Sequence, residues 1–94
     1  MDDGAFQWDD QKAAANFAKH GVSFERARGV FDDPFALEFA DGRQDYGEDR
    51  FIVIGMVESR LLFVVCTMRG EVIRIISARG AEPYESRRYH DINA

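Results

Sequence analysis

The spacing of apolar and polar residues changes once along this chain, near Phe35. Before that point apolar residues recur at helical spacing; after it they alternate or run together, as strands do. Ala13, Ala14 and Phe17 give a short amphipathic helix over Asp10–His20. Asp9 suits its N-cap and Asp10 its first turn, Lys19 and His20 fall in the last turn, and Gly21 follows as the stop. Ser23 caps a second helix, with Glu25 in its first turn and a stripe of Phe24, Ala27, Val30 and Phe31, ended by Asp32-Asp33-Pro34. The short link between them predicts an αα-hairpin. Phe6 and Trp8, ahead of the first helix, are expected to pack on the core.

From Phe35 to Phe39 apolar residues alternate with Ala36 and Glu38, the mark of a half-buried strand. Asp41-Gly42 breaks it, and a polar loop runs to Asp49. Arg50–Val57 is the next strand, Glu58-Ser59 a two-residue turn, and Arg60–Met68 the strand after it. A second tight turn at Arg69-Gly70 leads into Glu71–Arg79, before Gly80 stops the strand. Connections this short predict an antiparallel meander. The two central strands are apolar on both faces, so both faces need cover: the helical hairpin on one, the C-terminal segment or a partner chain on the other. After Gly80, Pro83 suits the first turn of a last helix carrying Tyr84, Arg87, Arg88 and Tyr89. The order α-α-β-β-β-β-α predicts an α+β fold with one four-stranded antiparallel sheet, in a single domain over residues 1–94.

Composition narrows the picture little. An apolar fraction of 46% and a charged fraction of 31% are those of an ordinary globular protein. No apolar run approaches the roughly 20 residues of a membrane span, and the start of the chain lacks a secretory pattern, so the expected compartment is the cytoplasm, with no membrane partner. Cys66 is the one cysteine and lies mid-strand, where it reads as a small buried hydrophobe. The net charge of −5 argues against a simple nucleic-acid-binding domain, but it is unevenly spread. Residues 1–49 hold 12 acidic against 5 basic side chains, and residues 50–94 hold 5 against 7. The second half is therefore free to meet an anion.

Candidate chemistry lies with cations and aromatics. His20 and His90 are the only histidines and no cysteine pair exists, so neither a metal nor a cofactor is expected. No phosphate loop, nucleophile elbow or dinucleotide fingerprint is present. Asp9-Asp10 and Asp32-Asp33 sit at helix ends, where capping explains them. Arg74 interrupts an apolar strand and Arg79 ends it; a sheet presenting guanidinium groups can grip a phosphate or carboxylate bidentately. Lys19, His20, Arg50 and Arg69, with Tyr84, Arg87, Arg88 and Tyr89, complete the set. RNA cleavage by the ribose 2′-hydroxyl requires no metal: it requires a proton acceptor, cations for the developing phosphorane charge and an acid for the leaving oxygen.

FQWDDQKAAANFAKHGVSFERARGVFDDP resembles the opening of the BrnT toxins, in its F-x-W-D, K-H-G-V-S-F-E and V-F-x-D-P elements. YGEDRFIVIG, LLFVVCTMRGEVIRIISAR and ESRRY follow in that family's order, so the resemblance spans Phe6 to about Tyr89. It implies a RelE-like fold and a ribonuclease toxin of a type II toxin–antitoxin system that inhibits translation by cleaving RNA. It also implies a BrnA-type antitoxin as partner, with operator DNA contacted only through that antitoxin. By matching motifs, His20, Arg74 and Arg79 are the expected catalytic residues, with His20 for proton transfer and the arginines for phosphate charge. Lys19, Arg69, Arg87, Arg88 and Tyr89 are the expected RNA contacts. One departure is GAEPYESRRY after the SAR element, where family members often carry a more basic run. The rival reading is a non-catalytic binding module whose open sheet face docks a partner through the same arginines.

Overall fold

The computed structural model describes residues 1–94. Its strands are β1 (Phe6–Gln7), β2 (Leu37–Ala40), β3 (Phe51–Val57), β4 (Arg60–Arg69) and β5 (Val72–Gly80). Its helices are α1 (Asp10–His20), α2 (Phe24–Ala27) and α3 (Pro83–Ile92), and a 3₁₀ helix over Arg28–Asp32 continues α2. One sheet in the order β1-β5-β4-β3-β2 contains all five strands. The α+β class agrees with the sequence. The expected four-stranded antiparallel sheet does not: a fifth strand, β1, pairs parallel to β5 through Phe6 with Ile73 and Gln7 with Arg74. Two residues carry no detectable period, and the pairing joins segments far apart in the chain, so no local signal marks it.

The meander β2-β3-β4-β5 forms as its turns direct. Glu58 and Ser59 both take positive φ, 49° and 69°, the backbone of a type I′ hairpin. At the second hairpin β4 runs on through Arg69, and Gly70, at φ 63°, turns with Glu71, one residue later than expected. Likewise β5 continues through Gly80, whose partner across the ladder is Leu62. At the start of β2, Asp33 Oδ1 accepts the Phe35 N–H at 2.9 Å, so the strand begins at Leu37 rather than Phe35.

The expected αα-hairpin is also corrected. Asp9 and Ser23 cap as read, accepting the N–H of Lys12 and Arg26 at 3.0 Å each. After one α turn, however, the second segment winds as 3₁₀. A Cβ at Gly29 would lie 2.9 Å from a Val57 methyl, and one at Gly55 would lie 2.9 Å from Val30 Cβ. This close seating of helix on strand sets the tighter winding, and Gly29 offers little resistance to it. The two helical segments lie side by side on the sheet, α1 along β5 and the 3₁₀ helix on β3, rather than packing on each other.

Two apolar clusters flank the sheet. On the first face Trp8, Val22, Phe24, Ala27 and Val30 close over Val53, Leu62, Val64, Cys66, Ile75 and Ala78. On the second, Ile52, Ile54, Phe63 and Val65 are met by Tyr89 of α3, so the C-terminal segment supplies the cover this face required. Burial pushes the Cys66 thiol up to about 12, in keeping with an inert core residue. Asn16 of α1 takes over at the edge of β5 beyond β1: its side chain donates to Ala78 O at 2.8 Å and accepts from Ala78 N at 3.1 Å. No helix is long and apolar enough to cross a membrane.

Candidate functional site

β5 presents both strand arginines to the second face, and it does so through an irregularity. Arg74 and Arg79 are five residues apart, an odd separation that in a regular strand puts side chains on opposite faces. The ladder pairs Val65 with Ser77 but Cys66 with Ile75, leaving Ile76 as the extra residue of a bulge. Parity is restored. Arg74 lies opposite Thr67 and Arg79 opposite Phe63, and Phe63 and Thr67 share the second face of β4.

Around Arg79 is a groove of about 250 Å³ floored by Ile52, Ile54 and Phe63 and rimmed by Phe39, Arg43, Tyr84, Glu85 and Arg88. The Arg79 guanidinium lies 4.0 Å over the Phe63 ring, Arg43 lies 5.5 Å from the same ring, and Arg88 lies 4.5 Å over Phe39. Such stacking holds cations over ring faces, where their electrostatic attraction is strongest. Pro83 starts α3 one turn beyond β5, which brings Glu85 back under Arg79. Glu85 is 3% exposed and accepts from Arg79 Nη1 at 2.8 Å and Nη2 at 2.9 Å. Its Oε1 also accepts the Glu82 N–H at 2.8 Å. Burial alone would raise the Glu85 carboxyl, but these donors hold it below the usual range.

The geometry of that pair leaves part of Arg79 unused. Nη1 donates to Glu85 and to Gly80 O, and Nη2 gives one hydrogen to Glu85. The remaining donors, Nε–H and the second Nη2–H, form the other edge of the guanidinium, a fork matched to two phosphate oxygens. Beside it, the negative charge of Glu85 and then burial keep the Tyr84 hydroxyl protonated above its ordinary range.

Arg74 belongs to a separate cluster roughly 13 Å along the same face, taking Phe63 to Thr67 as four residues at about 3.3 Å each. Its Nη1 donates to Gln7 Oε1 at 2.8 Å. With Lys12, Arg50 and Arg69 it lines a small hollow of about 100 Å³ that also contains Asp9 and Glu48. Glu48 bridges two of these cations, Arg50 at 3.1 Å and Arg69 at 3.2 Å. The loop Asp41–Asp49 connects hollow and groove. Arg50 stacks 4.1 Å over Tyr46, the Tyr46 hydroxyl donates to Asp41 at 3.0 Å, and Asp41 holds Arg43 at 2.7 and 2.8 Å. Those Arg43 bonds, opposing the effect of burial, bring the Asp41 carboxyl down to about 2. A wider depression of about 400 Å³ between Asp49, Thr67 and Arg69 is shallow and has Arg69 as its one cation.

The other sequence-predicted residues divide. Arg88 reaches the groove, Arg69 the hollow, and Arg87 is exposed without a carboxylate partner. Lys19 and His20 end α1, in the layer covering the first face, so the structure does not bring His20 to either arginine. Tyr89 turns inward: it is 6% exposed and its hydroxyl donates to Asp33 Oδ2 at 2.7 Å, an oxygen that also accepts Met56 N–H. Burial, and after it that carboxylate, pushes Tyr89 up to about 12. The sequence reading missed Arg43, which a polar loop conceals, and Phe63 and Phe39, which read as plain core. It also missed Glu85; its spacing from Glu82, N-cap to third helical residue, was the available signal. No group of three His, Cys, Asp or Glu side chains converges as metal ligands do.

Residues 8–85 match the family described as "Ribonuclease toxin, BrnT, of type II toxin-antitoxin system". No curated protein matches the chain.

Proposed function

The chain belongs to the BrnT family of ribonuclease toxins of type II toxin–antitoxin systems, and we propose that it cleaves RNA at the Arg79 groove by a route that requires no metal. The ribose 2′-hydroxyl gives its proton to solvent water as its oxygen attacks the adjacent phosphorus, the bond to the 5′-oxygen breaks, and the products are a 2′,3′-cyclic phosphate and a 5′-hydroxyl. The observation that carries this reading is the Arg79 fork, fixed by buried Glu85, over Phe63. A guanidinium so held is oriented before the phosphorane charge develops, which is worth on the order of 10²–10³-fold for one well-placed donor. Bases of the strand stack on the exposed Tyr84 ring at the rim of the groove. Tyr84, kept protonated, protonates the leaving 5′-oxygen. Glu85, with its oxygens engaged by Arg79, makes a poor proton acceptor, so charge stabilisation contributes more than proton transfer. His20 has no part in this scheme. The groove's one carboxylate being taken by Arg79 also supports the metal-free route.

A type II toxin has an antitoxin partner. We propose that it is a BrnA-type protein that covers this groove, that operator DNA is met only through it, and that the free toxin arrests translation in the cytoplasm. One observation favours the rival reading of a docking module without catalysis: Arg43 and Arg79 each already hold a carboxylate. A single assay separates the two. Purified protein is incubated with RNA and chelator beside Arg79→Lys, which keeps a cation for Glu85 but loses the fork. Metal-free cleavage to cyclic phosphate ends, slowed on the order of 10²-fold or more by the substitution, is expected. An unchanged rate in Arg79→Lys would remove this site; no cleavage by folded wild type would favour the docking module.

A further inference from the structure

We infer that the hollow between Lys12, Arg50, Arg69 and Arg74 is a second phosphate subsite, holding the backbone of the same RNA strand a few nucleotides from the reacting phosphate. The inference rests on the cleavage reading above. Four cations meet two carboxylates there, Glu48 and Asp9, so the hollow carries net positive charge in a chain whose total is −5. Their partners leave that charge available. Glu48 is shared between Arg50 and Arg69, Arg74 has the neutral amide of Gln7, and the Lys12 ammonium makes no ion pair. A cation packed against a neutral amide keeps its full charge for an incoming anion.

Size and lining separate this site from the groove. The groove is larger and offers the exposed Tyr84 ring and the Arg88 guanidinium plane over Phe39, which suits bases. The hollow is small and polar, with Ile75 and Ile76 as its apolar residues, which suits a phosphate and leaves no ring for a base to stack on. The groove lies on the second face and the hollow at the end of that face where the start of α1 brings Lys12 beside Arg74, and the Arg43–Asp41–Tyr46–Arg50 chain of contacts links them. An acidic segment of a protein would meet the same charges. RNA is favoured because the hollow continues a path of guanidinium groups that begins at the cleavage groove, and phosphate contacts of this kind fix the register of a strand on a protein.

The test compares wild type with Lys12→Ala/Arg69→Ala, two exposed positions whose replacement leaves both cores intact. Binding of a labelled RNA decamer is titrated at several salt concentrations, and kcat/KM is measured for the decamer and for a dinucleoside monophosphate too short to span both sites. Losing two phosphate contacts should lower the salt slope of binding by about 1.4, at about 0.7 per contact for a single strand. The decamer's advantage over the dinucleotide should shrink as well. An unchanged salt slope, or an equal loss on both substrates, would overturn the subsite, and so would weakened antitoxin binding with RNA binding intact. If wild type cleaves neither RNA but the slope still falls, the cleavage reading fails and the subsite stands.

Discussion

The two faces of the sheet are built from alternate residues of the same strands, yet they are finished differently. The first is sealed: Val22, Ala27, Val30, Leu62 and Val64 are wholly buried beneath the helical layer. Its polar exception, Asn16, is spent on the backbone of β5. The second is covered along one side by α3 and left open along the other, and the open side holds Arg43, Arg50, Arg69, Arg79 and Arg88 stacked on rings or bridged by carboxylates, with Arg74 held by the Gln7 amide. A buried apolar layer contributes stability in proportion to the area removed from water and tolerates little change in shape. A charged face contributes little to stability, because exposed ion pairs are weak. It can therefore be devoted to a ligand. The comparison teaches that stability and activity should respond to different substitutions.

The largest expected effect belongs to the first face. Phe24, 1% exposed and edge-on to Trp8 at 5.8 Å, should cost about 3–5 kcal/mol when replaced by Ala. Urea denaturation would show the loss, while kcat per folded molecule should stay unchanged; a fall in kcat at full folding would break the division between faces. Gly55→Ala comes next. Its new Cβ would lie 3.1 Å from the backbone of Val30, which cannot swing away, so a loss of about 1–3 kcal/mol is expected by the same assay.

Tyr89→Phe sharpens the boundary within the second face. It removes the hydroxyl donated to the Asp33 carboxylate, and a loss near the lower end of about 1.5–3 kcal/mol should appear in the urea midpoint. RNA affinity should hold, whereas an RNA-contacting Tyr89 would lose affinity with stability unchanged. The smallest effect is a pH dependence. The folded Asp41 carboxyl, at about 2, lies below its ordinary 3.8, so its stabilising share is complete above about pH 5 and is lost as pH falls through about 2. The stability gap between wild type and Asp41→Asn should therefore narrow between about pH 5 and pH 2. A gap that stays constant would show that the Arg43 bond contributes nothing through ionisation.

Much of this architecture is written in local pattern. Runs of β-branched residues made β3, β4 and β5 legible, Asp9, Ser23 and Gly21 marked their helix ends, and Glu58-Ser59 marked its turn. The family motifs pointed to Arg79, which does stand at the groove. Each of these signals lies within a few neighbouring residues, where propensity and capping act. Four features escaped. β1 is two residues long and stabilised by a strand far along the chain. The bulge at Ile76, which sets Arg74 and Arg79 on one face, exists only as a mismatch between two strands. Glu85 looked like lost positive charge until α3 folded it beneath Arg79, and Tyr89 looked like a ligand contact until Asp33 met it. Sequence alone determined the longer helices and the four meander strands and which family's chemistry they carry, because those follow from neighbours in the chain. Tertiary structure alone decided which cations share a surface and which are held by carboxylates, because strand register and helix docking bring together groups that have no neighbours in common.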